Sequence, residues 1–172
     1  MLREPADTHP PARRVAVVIV TYRTAELTIQ CLRSVNQERL AGTLRLSAFV
    51  VDNDSGDART IAQAIAAQHW SSWVTLIAAP GNGGFGYGNN LGIQRALVAA
   101  QPDYVYLLNP DAEVRSGAIA ALARFLDAHA DAGIAGSGFE TQDGAPGRLR
   151  FGFRPSSASS SPGCSGVCSP GC

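Results

Sequence analysis

The stretch VAVVIV, residues 15–20, decides the fold of this chain. Its six consecutive apolar residues leave no polar face, which is typical of a strand buried on both sides within a parallel sheet. LSAFVV (46–51), VTLIAA (74–79) and YVYLL (104–108) repeat the pattern, and each is separated from the next by a helical segment. Strand and helix therefore alternate, which predicts a parallel α/β sheet with right-handed crossovers.

The connecting segments complete this predicted architecture. Amphipathic patterns predict helices over about 25–35 and 58–69, and another helix is expected over 89–100. Ser116 can cap a fourth helix, and GIAGSGF (133–139) predicts a short fifth strand. The expected fold is a sheet of four to five parallel strands flanked by helices.

The two ends of the chain differ in composition from its centre. Residues 1–14 carry prolines without periodicity, and residues 155–172 are rich in Ser, Pro, Gly and Cys, so we expect a disordered arm and tail around a folded part, 15–154. The 14 basic residues balance 14 acidic ones, which argues against a nucleic-acid partner. No apolar stretch approaches the ~20 residues of a transmembrane helix. We expect a cytoplasmic location, or a peripheral one at the inner membrane face.

Three polar clusters, 52–57, 80–90 and 109–113, follow predicted strands. Ligands of parallel sheets bind beyond the carboxyl ends of the strands, so these clusters predict a ligand site. Asp111 offers a hard oxygen ligand for Mg²⁺ or Mn²⁺ together with substrate phosphates. Asp52 is expected to converge on the same edge. The alternative is that both aspartates serve only in ordinary turns.

A glycine-rich stretch, PGNGGFGYG (80–88), allows two interpretations. Gly81, Gly83 and Gly86 match the dinucleotide-binding pattern G-x-G-x-x-G, which keeps an NAD-dependent oxidoreductase as an alternative. That pattern normally follows the first strand of a fold, however, and its acidic partner ends the next strand, where this chain has Asn109. We therefore favour a loop that lets the backbone approach a different ligand closely.

Four segments in this order resemble the family 2 inverting glycosyltransferases of the GT-A fold, particularly rhamnosyltransferase-like members: VVIVTYRTAELTIQCLRSV, FVVDNDSGD, NGGFGYGNNLGI and YVYLLNPDAEV. The resemblance covers roughly residues 15–150. It implies a Rossmann-like domain that binds a dTDP- or UDP-sugar, with a divalent cation (Mg or Mn) as cofactor. It further implies transfer of the sugar, rhamnose among the candidates, to a glycan or lipid-linked acceptor in cell-wall polysaccharide biosynthesis.

The resemblance also implies roles for single residues. Asp52 is expected to hydrogen-bond the nucleotide base, and Asp111 to be the main protein ligand of the metal, since Asn109 stands where the family's DxD motif has its first acidic residue. The full set of implied substrate-binding residues is Thr21, Tyr22, Asp52, Asn82, Gly83, Asn90, Asn109 and Asp111.

The catalytic base of this family lies downstream, in an acceptor-binding region that we do not find in the sequence. Glu140 and Asp143 are the last carboxylates, and ETQDG is more typical of a hairpin with Asp143-Gly144 at its tip. We therefore expect a chain truncated after its donor-binding half, with the tail after Arg154 a candidate frameshift product. A non-catalytic nucleotide-sugar-binding remnant is the alternative to an active transferase.

Overall fold

The protein, described here from a computed structural model, comprises two compact units, Met1–Ser137 and Gly138–Cys172. The structure describes residues 12–141, and the backbone of 146–147. The first unit contains strands β1 (Arg14–Thr21), β2 (Arg45–Asp52), β3 (Val74–Ala78) and β4 (Tyr104–Leu108), and helices α1 (Ala25–Leu40), α2 (Ala58–Ala67), α3 (Gly84–Ala99) and α4 (Ala118–Ala128). All four strands pair in parallel, in the order β3-β2-β1-β4. The predicted parallel α/β sheet is confirmed.

Strand β1 lies inside the sheet and is buried on both faces. Its odd-numbered residues from Val15 to Ile19 pack in one core with apolar residues of α1, α2 and α4. Its even-numbered residues Ala16 and Val18 face the opposite side, where they meet Ala96 of α3. The unbroken apolar run of β1 therefore packs against helices on both faces of the sheet.

Helix α3 begins at Gly84, five residues earlier than the predicted start at residue 89. Its glycines let the helix lie close against β1. A Cβ atom at Gly88 would lie 2.6 Å from Cγ1 of Val20, and one at Gly92 would lie 2.4 Å from Cγ1 of Val18. Glycine lowers intrinsic helix propensity, and the packing of the helix on the sheet outweighs that cost. Much of the predicted glycine-rich loop is therefore the first part of a helix.

Two other helix ends differ from the prediction. Helix α1 continues to Leu40 instead of ending near residue 35. Helix α4 begins after Gly117, which has φ of 80°, and not after a capping Ser116. Both differences involve Glu38 of α1, a buried residue that hydrogen-bonds the start of α4.

The predicted fifth parallel strand is absent from the described residues. In the second unit, β5 (Phe139–Glu140) pairs antiparallel with β6 (Pro146–Gly147). This pairing agrees with the predicted hairpin, whose tip at 143–144 lies outside the described residues. Arg14 belongs to β1 and not to the predicted arm. Residues 1–11 and the predicted tail, 155–172, also lie outside the described residues.

Candidate functional site

A cleft of about 470 Å³ opens where β1, β2 and β4 end. The strand order reverses beside β1, because β2 and β3 lie on one side and β4 on the other. Parallel sheets bind ligands at such a switch point, and the volume suits a small molecule. The cleft is lined by Val20, Tyr22, Thr24, Leu27, Asn53, Asn82, Gly84, Phe85, Asn109, Pro110 and Asp111.

Asp111 stands in a turn that directly follows β4. The Ala112 N–H donates to the carbonyl oxygen of Asn109 at 3.2 Å, which closes a β-turn with Pro110 in its second position. The Asp111 side chain is exposed and lines the cleft, and none of the described residues donates a hydrogen bond to it. The sequence left open whether Asp111 serves in a turn or in a ligand site. In the structure it stands in a turn and also lines the cleft.

Asp52 does not reach the cleft, in contrast to the expectation from the sequence. Its side chain is only 3% exposed. Oδ1 accepts hydrogen bonds from Ser55 N (3.0 Å) and Oγ (2.5 Å), and Oδ2 accepts one from Ala58 N at 3.0 Å. Side chains alternate along a strand, so Asp52 shares the face of Val50, toward α2. Its carboxylate therefore holds the loop before α2 and the first turn of that helix.

Asn53, the next residue, is on the opposite face and lines the cleft. Its Nδ2 donates to Asn82 Oδ1 at 2.8 Å and to the Gly84 carbonyl at 3.2 Å. Both partners are acceptors, so the orientation of the amide is fixed by its contacts. The Oδ1 atom is buried and has no hydrogen-bond donor among the described residues. Buried polar atoms without a partner are exceptions in folded proteins.

Asn82 connects Asn53 to the beginning of α3. Its Oδ1 also accepts from Gly84 N at 3.0 Å, so a single oxygen ties the loop to the helix. Gly83, the residue before the helix, has no room for a side chain, because a Cβ there would lie 2.3 Å from Cγ of Tyr87. Gly83 and the exposed Asn90 do not line the cleft, so the structure gives them no direct contact with its interior.

The amino end of α3 contributes backbone to the cleft. Gly84 and Phe85 of its first turn line it. The N-cap residue Gly83 has no side chain, and the Gly84 N–H is already taken by Asn82 Oδ1. The first N–H groups of a helix have no partner within the helix and favour negative charge, as in many phosphate sites. This wall of the cleft is therefore suited to an anion.

The loop after β1 forms another wall. Thr21 is fully buried, and its Oγ1 lies 3.0 Å from Thr24 Oγ1. The Thr24 N–H donates to Asp57 Oδ2 at 2.8 Å, which ties this loop to the loop after β2. Tyr22 is 43% exposed and lines the cleft, and the Arg23 guanidinium lies 5.2 Å from the centre of its ring. Thr21 thus supports the wall from behind, while Tyr22 faces the ligand space.

Of the residues predicted from the sequence, the structure brings Tyr22, Asn82, Asn109 and Asp111 together in the cleft. Sequence analysis missed Thr24, Asn53 and Phe85. A signal existed for Phe85, since a large aromatic residue inside a glycine-rich stretch has little other reason to be there. For Asn53, the signal was its position next to Asp52. Successive side chains of a strand point to opposite faces, so only one of the two can face the cleft.

Two carboxylates, Asp111 and Glu113, lie near the buried thiol of Cys31. Burial raises the pKa of the Cys31 thiol to about 12, and the nearby carboxylates of Asp111 and Glu113 add to the shift. The Cys31 thiol lies 3.6 Å from the Asn109 carbonyl, to which it donates. Within the described part of the chain, no group of three or more His, Cys, Asp or Glu residues could hold a metal alone. A cation bound here would need further oxygen ligands from a substrate and from water.

Comparison with known proteins agrees with this arrangement. The model of the family described as glycosyl transferase family 2 matches residues 16–154, which includes every strand and helix of the first unit except the first two residues of β1. The chain belongs to glycosyl transferase family 2. Its four-stranded parallel sheet with flanking helices is the Rossmann-like core of the GT-A fold. The glycine-rich segment follows β3, an edge strand, and so lacks the place of a dinucleotide fingerprint.

Among solved structures, the family 2 chain is similar to a mannosyltransferase from Pyrobaculum calidifontis in complex with GDP-Man and Mn²⁺. The TM-score is 0.56 at 23% sequence identity, and the match covers 72% of this chain but only 36% of the mannosyltransferase. A search of curated protein sequences finds no match. No helix in the described residues has the length and apolar character needed to cross a membrane.

Proposed function

We propose that this chain binds a nucleoside diphosphate sugar as the donor part of a glycosyltransferase. One observation carries the proposal: the Asp111 carboxylate, which has no hydrogen-bond donor among the described residues, lines the same cleft as Asn53, whose buried Oδ1 also lacks one. A nucleotide sugar would use both groups, since its base offers an N–H and its diphosphate attracts a cation. The mannosyltransferase complex with GDP-Man and Mn²⁺ supports this class of donor and cofactor.

Asp111 is the residue that would hold the cation. A divalent cation, when bound, would neutralise the charge that develops on the departing diphosphate. The residues present fit such an ion, because Mg²⁺ and Mn²⁺ accept one carboxylate together with phosphate oxygens and water. The amino end of α3, on another wall of the cleft, would add backbone N–H donors for the same diphosphate.

Asn53 is the residue that would recognise the base. Its Oδ1 would accept the ring N–H of uracil or thymine, and guanine carries a comparable group, whereas cytosine and adenine lack one. This assignment replaces Asp52 as the direct contact and gives Asp52 the task of holding the loop that carries Asn53. Tyr22 would contribute an exposed ring beside the nucleotide.

The reaction we propose is transfer of the sugar with inversion to a hydroxyl of a glycan or lipid-linked acceptor. In such a displacement, a carboxylate removes the proton from the acceptor hydroxyl. Asp111 is the one carboxylate that lines the cleft among the described residues, and in this proposal it holds the cation. The base therefore remains unassigned. The sequence resemblance favours rhamnose as the sugar.

Calorimetric titration of UDP, dTDP and GDP with and without Mn²⁺ tests the donor site. We expect Mn²⁺ to tighten at least one nucleotide about tenfold or more, which is about 1.4 kcal/mol. Asp111→Asn should remove that gain and keep the metal-free affinity. Glu113→Gln is the matched control, because Glu113 is exposed two residues away and does not line the cleft. A gain that survives in Asp111→Asn would contradict the assignment.

A transfer assay separates an active enzyme from a binding remnant. Sugar-labelled dTDP-rhamnose, UDP-glucose and GDP-Man would be incubated with Mn²⁺ and glycan acceptors, and released nucleotide and new glycoside would be measured. Turnover that depends on Asp111 would support the transferase. Tight binding without turnover on any donor would favour the remnant.

A further inference from the structure

Three side chains of helix α1 form hydrogen bonds with the backbone of the segment that follows β4. The Cys31 thiol donates to the carbonyl oxygen of Asn109 at 3.6 Å. Ser34 Oγ accepts from the N–H of Val114 at 2.9 Å, and Glu38 accepts from the N–H of Gly117 at 2.5 Å. The three α1 residues are spaced i, i+3 and i+7, which places them along one face of the helix.

These contacts bracket Asp111. The first lies two residues before it and the second three residues after it, on the backbone of the same short segment. The Asp111 side chain itself receives no hydrogen bond from the described residues, so the backbone alone sets its position. The turn that carries it is closed by the hydrogen bond from Ala112 N to Asn109 O at 3.2 Å.

Glu38 makes two hydrogen bonds to the start of α4. Its side chain is 1% exposed, and a buried carboxylate is costly unless hydrogen bonds compensate its lost hydration. Oε2 accepts from Gly117 N, and Oε1 accepts from Ala120 N at 3.2 Å. Gly117 is the N-cap of α4 and offers no side-chain cap of its own, so Glu38 caps α4 from another helix.

Ser34 has both hydrogen-bonding functions engaged. Its Oγ donates to the Cys31 carbonyl at 2.7 Å and accepts from Val114 N, and the residue is 8% exposed. The side chain therefore transmits the position of the α1 backbone directly to the segment after Asp111. Threonine would keep this hydroxyl, whereas alanine would leave the buried Val114 N–H without an acceptor.

We propose that Ser34 and Glu38 are positioning residues for the cation that Asp111 holds. This inference rests on the proposed function, because it concerns the same carboxylate. The two side chains fix the backbone on the carboxyl side of Asp111, and the metal-linked part of nucleotide binding depends on that placement. Base recognition through Asn53 lies on a different loop and is independent of them.

The test measures metal-linked and metal-free binding separately in Ser34→Ala and Glu38→Gln. Calorimetry gives the affinity for the tightest of the three nucleotides without metal, and electron paramagnetic resonance of free Mn²⁺ gives the affinity for the ion in its presence. We expect Mn²⁺ affinity to fall on the order of tenfold in both variants, with metal-free nucleotide affinity within about twofold of the unaltered chain. Ser34→Thr, which keeps the hydroxyl, should bind Mn²⁺ as tightly as the unaltered chain.

Gln37→Ala is the matched control, because Gln37 lies on α1 between the two residues and is exposed. Metal-free binding also reports on folding, so a variant that loses both affinities in equal measure would show a general structural role and overturn the inference. Unchanged Mn²⁺ affinity in both variants would overturn it as well. Absence of any Mn²⁺-dependent nucleotide binding by the unaltered chain would instead overturn the proposed function, and this inference with it.

Discussion

Asn53 and Asp52 are neighbours in the chain with opposite surroundings. Asp52 has three donors on its carboxylate and supports the start of α2, whereas Asn53 keeps one buried oxygen without a donor in the described residues. The sequence located the polar cluster correctly at a strand end. It did not decide which of the two side chains faces the cleft, because that depends on which face of β2 meets α3.

The base contact can be tested by changing the ligand instead of the protein. UDP that carries a methyl group on N3 of uracil lacks the N–H that Asn53 Oδ1 would accept. We expect the unaltered chain to bind it about tenfold more weakly than UDP, since an unpaired buried acceptor costs about 1–3 kcal/mol. In Asn53→Ala the two ligands should bind alike, and calorimetry measures all four affinities. An undiminished preference for UDP in Asn53→Ala would show that another group reads the base.

Cys31 gives a second prediction for single residues. Burial, with Asp111 and Glu113, raises the pKa of its thiol to about 12, above the ordinary value of 9.0. A raised pKa favours the protonated form in the fold, so the stabilisation is complete below the unfolded pKa and is lost as pH rises from about 9 toward 12. In metal-free protein, the free energy of unfolding should fall across this window more steeply than in Cys31→Ala. Parallel curves from urea unfolding would contradict it.

The same burial should protect the thiol from reagents. At pH 8 a thiol reagent should leave Cys31 unmodified in the folded protein and modify it in urea, and mass spectrometry of peptides would locate the label. Rapid labelling of Cys31 in the folded chain would show that the helix opens above the Asn109 turn.

Helix α3 shows where pattern reading of elements fails. The long apolar strands were predicted nearly to the residue, because a buried strand has few alternatives. The start of α3 was misplaced because its glycines have low helix propensity, while their real role is to let the helix approach Val18 and Val20. The Glu38 cap of α4 was also beyond sequence analysis, since its partners lie 79 and 82 residues away in the chain.

Paired glycine substitutions in α3 test the packing. Gly88→Ala would place a Cβ 2.6 Å from Val20, and overpacking of this kind typically costs about 1–3 kcal/mol. Gly86→Ala meets nothing within 4 Å in the same helix and should stabilise by up to about 1 kcal/mol through helix propensity. Urea unfolding measures both. Equal effects of the two substitutions would mean that α3 does not lie against β1 as described.

At the scale of the whole molecule, the order of the strands in the sheet determines where the cleft lies. The order β3-β2-β1-β4 creates a switch point between β1 and β4, and the residues after β1, β2 and β4 meet there. Sequence alternation predicted a parallel sheet but carried no information on strand order, which long-range pairing decides. A second cavity of about 320 Å³ lies near the amino end of β1, where Asp127 is paired with Arg13 and Arg124 adds a second positive charge, so it serves as the reference location that a cation should avoid.

Paramagnetic broadening by Mn²⁺ compares these two places directly. In a ¹⁵N-labelled sample with saturating nucleotide, we expect substoichiometric Mn²⁺ to broaden the amide signals of residues 109 and 111–112 and the first turn of α3. Mg²⁺ in place of Mn²⁺ should leave those signals sharp, and Asp111→Asn should abolish the broadening. Broadening centred on Arg13 and Asp127, or unchanged in Asp111→Asn, would contradict the claim that Asp111 holds the cation of a bound nucleotide sugar.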